Sequence, residues 1–158
     1  MKLLCLLICP LLIMSCKQNT GTAGAGTLPL QGSWQLVTGI TITGKDSTIT
    51  DYTQKRSFIK IINNTHFAFL QHDLAGGKDS ANASFTAGGG KYQLSDSTYT
   101  EHLEYCSDRQ WENHDFTFTI SIRNDTLVQQ GVEKVESAGV NRINIEKYVR
   151  IQPVLSAK

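Results

Sequence analysis

From residue 32 onward the chain alternates. Apolar and polar side chains change places at every second position, β-branched and aromatic residues are frequent, and no useful stretch keeps a helical period. A period of two is the signature of a strand with one buried and one solvated face. The alternating segments are 32–41, 57–63, 66–71, 90–94, 98–106, 115–123, 126–131 and 143–151, with a ninth at 83–86. Asn63-Asn64, Ser95-Asp96-Ser97 and Asn124-Asp125 separate them with residues that tolerate tight or left-handed backbone. The polar segment 42–55 reads as a loop or a short helical turn. About eight antiparallel strands allow a sandwich or an up-and-down barrel. Sequential hairpins favour the barrel, because closure leaves no exposed edge. An eight-stranded barrel has an interior just wide enough for side chains or one small ligand.

Parity then assigns an inward face. It holds Trp34, Leu36 and Thr38 in the first strand, Phe67 and Phe69 in 66–71, and Phe116, Phe118, Ile120 and Ile122 in 115–123. In 98–106 the inward set is Tyr99, Glu101, Leu103 and Tyr105. Glu101 is an acid among apolar neighbours. A lone buried carboxylate is costly, so it requires a partner or a raised pKa. It is either a polar anchor for a ligand, flanked by Tyr99 and Tyr105, or half of a structural pair with Lys60 or Arg150. The candidate ligand-binding set is Phe67, Phe69, Tyr92, Tyr99, Glu101 and Tyr105.

Other chemistries lack their signatures. Ala87-Gly88-Gly89-Gly90 is followed by neither a helix nor a Lys-Ser/Thr pair, so it marks a bulge or close backbone approach rather than a phosphate loop. His66 and His72 lie about 20 Å apart on one strand and cannot share an ion. His102 with Glu104, and His114 with Asp115, lack recognised zinc spacing. No nucleophile motif is present. Glu101 and Glu104 lie on opposite strand faces and cannot flank one scissile bond. No catalytic residue, metal or cofactor is assigned.

The first residues carry an address. Met1-Lys2 precedes an apolar run of 12 residues, Leu3 to Met14, and polar residues begin at Lys17. This is the layout of a secretory signal peptide, and the run is shorter than the roughly 17–25 residues of a spanning helix. Ile13-Met14-Ser15-Cys16 resembles the lipobox of bacterial lipoproteins. The resemblance implies a diacylglyceryl group on Cys16, cleavage before it and acylation of the new amino group, which together anchor stably in a membrane. It also implies the cell envelope, and Lys17, in place of a retention Asp, points to the outer membrane. The expected layout is signal peptide 1–15, lipidated Cys16 and flexible tether 16–29, barrel domain 30–152 and tail 153–158. The tether is small and polar and cannot bury enough surface to order itself.

Of 158 residues, removing 15 leaves 143, one domain's worth. Lys2 is the only charge lost from 15 basic and 14 acidic residues, so the mature chain holds 14 of each. A neutral chain without a basic patch argues against a nucleic-acid partner. Cys5 and Cys9 leave with the signal and Cys16 carries lipid, so Cys106 has no intrachain partner. The barrel therefore holds by packing and strand pairing.

Gly32-Ser33-Trp34 opens the first strand and Arg150 stands near the end of the last. They look like the lipocalin Gly-x-Trp signature and the arginine that packs across its tryptophan. The wider pattern runs from Leu30-Gln31-Gly32-Ser33-Trp34-Gln35-Leu36-Val37 through Lys60-Ile61-Ile62, Thr65-His66-Phe67, Ala87-Gly88-Gly89-Gly90-Lys91-Tyr92, Tyr99-Thr100-Glu101 and Glu104-Tyr105 to Glu146-Lys147-Tyr148-Val149-Arg150. It resembles a family of lipocalin-like domains of unknown function in secreted and lipid-anchored bacterial proteins. Tyr148 stands where that family more often has Trp. The resemblance implies an all-β, lipocalin-like antiparallel up-and-down barrel of about eight strands, and a binding role. The leading expectation is a lipid-anchored binding protein for a small apolar or amphipathic ligand. The alternatives are an enzyme using Glu101 as acid or base, and a filled barrel that presents loops to an envelope protein partner.

Overall fold

The computed structural model describes residues 28–81 and 83–152. The signal segment, Cys16, most of the tether and the tail 153–158 lie outside the described residues. The strands are β1 (Gly32–Thr43), β2 (Asp46–Asp51), β3 (Arg56–Ile62), β4 (His66–Asp73), β5 (Phe85–Ser95), β6 (Thr98–Cys106), β7 (His114–Arg123), β8 (Thr126–Val135) and β9 (Val140–Arg150). Single 3-10 turns, Arg109–Trp111 and Glu136–Ala138, precede β7 and β9. From β3 to β9 each strand pairs antiparallel with the next, and β1 pairs with both β3 and β9. The result is a closed antiparallel barrel of eight staves. Asp96, Asn124 and Asp125 take positive φ at the tight turns, which short polar side chains tolerate.

β2 replaces the loop or helical turn expected at 42–55. β1 runs on to Thr43, turns at Gly44 (φ +62°) and pairs back from Thr43↔Asp46 to Thr38↔Asp51. β3 takes over beside β1 at Gly32–Gln35, so β2 and β3 share one side of β1, interrupted at 52–55. β2 pairs with no other strand among the described residues. The expected strands at 83–86 and 90–94 merge, from Phe85 onward, into one continuous strand, β5.

Two bulges change which way side chains point. Leu36 opposes Tyr148 and Thr38 opposes Lys147, so Val37 is an extra residue in β1. Thr38 consequently joins the outer face with Lys147, and Gly39 and Thr41 turn inward. In the second, Gly89 opposes Tyr105 and Gly90 opposes Leu103, so Glu104 is the extra residue of β6. Tyr105 thereby lies outside the barrel, 69 % exposed, and Cys106 faces the lumen in its place. A side chain at Gly90 would collide with the His102 carbonyl and the Glu104 amide. This supplies the close backbone approach expected of the glycine run.

One barrel end is sealed. Trp34, Leu36, Phe67, Tyr99, Leu127 and Tyr148 are buried there. Arg150 lies over the Trp34 ring, 4.0 Å from guanidinium carbon to centroid. It also donates to the carbonyls of Gln31 (2.7 Å) and Pro29 (2.5 Å), and its Nε pairs with Asp125 (3.1 Å). The Trp34 indole N–H donates to the Leu30 carbonyl at 2.8 Å. Gly32 is required twice over. Its φ is +136°, and a Cβ would stand 2.5 Å from an Arg150 nitrogen. Leu28 and Pro29, expected in the tether, belong to this floor, since Leu28 packs on the core and Pro29 accepts from Arg150. The opposite end carries the β1–β2 turn, segment 74–81 and both 3-10 turns.

Candidate functional site

Between the floor and that opposite end lies a cavity of about 650 Å³. Phe58, Phe69, Leu103, Phe116 and Phe118 form apolar wall, and Trp111 of the first 3-10 turn stands at its rim. Strand parity also brings Lys60, Glu101, Gln129, Glu133, Asn144 and Glu146 to its surface.

Lys60 and Glu101 come from β3 and β6, with two strands between them, so their contact crosses the interior. The ammonium donates to Glu101 Oε1 at 2.7 Å and to Gln129 Oε1 at 3.1 Å. It also lies 5.3 Å from the Tyr148 ring centroid, 5.8 Å from that of Phe67 and 5.9 Å from that of Tyr99. Only 2 % of Lys60 and 7 % of Glu101 reach solvent. Burial pushes the Glu101 carboxyl above the usual carboxylate range, and Lys60 opposes this only in part. The partner is therefore Lys60; Arg150 is committed to Trp34 at the floor.

A second network joins β8 to β9. Glu133 accepts from Arg142 Nε at 2.7 Å and from Asn144 Nδ2 at 2.8 Å. Burial again raises its carboxyl pKa, against the pull of Arg142. The Tyr148 hydroxyl donates to Glu146 at 2.7 Å. Tyr99 Oη is buried and, among the described residues, has no hydrogen-bond partner. Burial, then the nearby Glu101 carboxylate, raises the pKa of this phenol. Such groups can hold a polar ligand atom by charge or hydrogen bond while the upper wall takes apolar surface.

The expected site residues divide by depth. Glu101 and Phe69 line the cavity. Phe67 and Tyr99 are packed beneath it. Tyr92 packs tilted against Tyr99 with centroids 5.4 Å apart, and its hydroxyl leaves the lumen to donate to the Asn63 carbonyl at 2.7 Å. Tyr105 is on the outer wall. Gln129, Glu133, Arg142, Asn144 and Glu146 were not anticipated. Arg142, Asn144, Glu146 and Tyr148 share the parity of Arg150, and that alternation was the available signal.

A shallower depression of about 510 Å³ follows the outside of β4, β5 and β6 where Gly88 and Gly89 lack side chains. Lys60, Arg142 and Gln129 of the lumen do not line it. Among the described residues, no group of three or more His, Cys, Asp or Glu could hold a metal ion.

A barrel sealed at one end, with a mixed polar and aromatic lumen behind the other, defines a class of small closed β-barrel domains. Within it, the chain belongs to the family described as Domain of unknown function (DUF4488), whose model matches residues 29–156. Comparison with curated proteins gives no match.

Proposed function

We propose that this protein is a lipocalin-like binding protein of the bacterial cell envelope, anchored by lipid on Cys16, whose lumen takes one small amphipathic molecule. The carrying observation is the cavity of about 650 Å³ that reaches the buried Lys60–Glu101 pair. Ligand sites commonly enclose about 300–1,000 Å³ and combine apolar walls with a few fixed polar groups. A barrel filled by Phe67, Phe69, Phe116 and Phe118 would instead have favoured a protein that presents only its loops. Envelope location rests on the signal segment and the Cys16 motif.

Native mass spectrometry of the chain from residue 17 onward tests the reading. Starting there keeps Leu28 and Pro29, which the floor needs. A co-purified small molecule, lost on denaturation, is the expected result. An empty protein that also takes up no amphipathic probe overturns the proposal. Glu101→Gln then separates anchor from proton carrier. Binding survives with an affinity loss of about tenfold or less, about 1.4 kcal/mol, whereas chemistry dependent on the carboxyl would disappear.

A further inference from the structure

The chain as a whole is nearly neutral, but its lumen is not. The charged residues lining the cavity are Lys60, Glu101, Asp108, Glu133, Arg142 and Glu146. Four acids against two bases leave a formal charge of −2 on that surface. Lys60 is committed to Glu101 and Arg142 to Glu133. Asp108 stands at the rim, where its carboxylate accepts from the Gln110 amide at 3.2 Å and caps the 3-10 turn. Glu146 accepts from the Tyr148 hydroxyl, and no lysine, arginine or histidine among the described residues lies within ion-pair distance of it.

Its surroundings are aromatic. Glu146 is the register partner of Gly39, and the Tyr52 ring lies over Gly39, 3.0 Å from where a Cβ would stand. Phe58 continues the surface, edge-on to Tyr52 (5.9 Å between centroids) and to Tyr148 (6.2 Å). Phe69 stacks on Phe58 at 5.7 Å. A carboxylate without a cation of its own, in a cavity that Tyr52, Phe58 and Phe69 also line, is a chemical match for a cation, which gains from the charge and from nearby rings.

We propose that the molecule held in this lumen carries a positive charge, a protonated amine or a guanidinium, and that Glu146 is its counter-ion, with the Tyr52 and Phe58 rings lining the same cavity. The inference rests on the lumen being a binding site, as argued above. Lys60 and Arg142, the cations among the described residues that line the cavity, each already pair with a carboxylate, so an anionic ligand would have to break one of those pairs to find a partner.

Three chain-matched probes decide the matter: octylamine, octanol and octanoate, titrated at pH 7 into the chain from residue 17 onward by calorimetry. Octylamine binds about tenfold or more tightly than the other two, the worth of one charge-assisted contact. In Glu146→Gln, which keeps an oxygen for Tyr148, octylamine falls to the affinity of octanol and octanol is unchanged. An unaltered urea midpoint shows that the variant is folded. Octanoate or octanol binding as well as octylamine to the unaltered protein overturns the cation preference while leaving the binding lumen intact, with no variant needed. A preference for octylamine that persists in Glu146→Gln overturns the role of Glu146. Failure of all three probes overturns the binding reading itself and this inference with it.

Discussion

Lys60→Met removes the ammonium while keeping a stem of similar length. What disappears is the 2.7 Å bond to Glu101, the 3.1 Å bond to Gln129 and a charge beside three aromatic rings. What remains is a carboxyl with 7 % of its residue surface exposed and no cation. Breaking a buried pair from one side costs about 3–5 kcal/mol, against about 5–15 kcal/mol for the whole stability of a small domain. Protonation limits that cost. Without Lys60 the folded-state pKa of Glu101, already raised by burial, rises further above the ordinary value of 4.5. A group with a raised folded-state pKa supports the fold below its unfolded pKa and loses that support as pH rises through the folded value. The variant is therefore worst at pH 8, losing about 3–5 kcal/mol, and at pH 4.5 the loss shrinks to about 1–2 kcal/mol because the neutral acid can donate to Gln129. Urea titrations at the two pH values, followed by the fluorescence of Trp34 and Trp111, measure both losses. Adding Glu101→Gln restores most of the loss at pH 8. An equal loss at both pH values, or a double variant no better than the single, would show that Lys60 matters through packing and not through its charge.

Gly90→Ala forces a methyl group into the His102 carbonyl and the Glu104 amide, and the backbone there cannot yield cheaply. Urea melts should show a loss of about 3 kcal/mol or more, the top of the usual overpacking range; a loss under 1 kcal/mol would mean that the bulge shifts freely. Glu133 is held above the ordinary 4.5 by burial, so its contribution to stability is complete below that value and lost as pH rises through the folded-state pKa. Glu133→Gln lacks this slope, so its stability relative to the unaltered protein improves from pH 4.5 to pH 8; a constant gap in urea midpoints contradicts the raised pKa. Tyr105→Ser, on the outer wall, changes stability by about 0.5 kcal/mol or less and leaves probe binding in the lumen untouched, as expected of a surface substitution; weakened binding in calorimetry would place Tyr105 functionally inside.

Strand existence was written in the sequence wherever a strand has a buried face. β2 escaped because its only large apolar residue, Ile49, is 71 % exposed. Only Thr50 of β2 turns to the cavity and no β2 residue is buried, so no apolar alternation marks the strand, and Gly44 in the turn was its one cue. Parity succeeded along β7, where no bulge intervenes, and failed at Thr38 and Tyr105, each just past an extra residue. A period of two carries no memory of a single insertion, and only pairing register reveals one. Glu101 stood out because apolar neighbours framed it. Glu133 and Glu146 lie in sequences rich in polar residues, where an inward acid looks like a solvated one. Whether Lys60 or Arg150 would reach Glu101 was undecidable from the strand alone, because β3 and β6 meet only across the closed interior.

The sealed floor also gives the molecule a mechanical polarity. The chain enters at Pro29 and Gln31 and its last strand ends at Arg150, all at one end, and a single guanidinium ties the entry to that strand. A pull on the N-terminus is delivered to the β1–β9 seam rather than peeling β1 away from a free edge. A barrel hung by that terminus hangs from its closed end, like a bucket fixed by its base, with its opening turned away from whatever holds it.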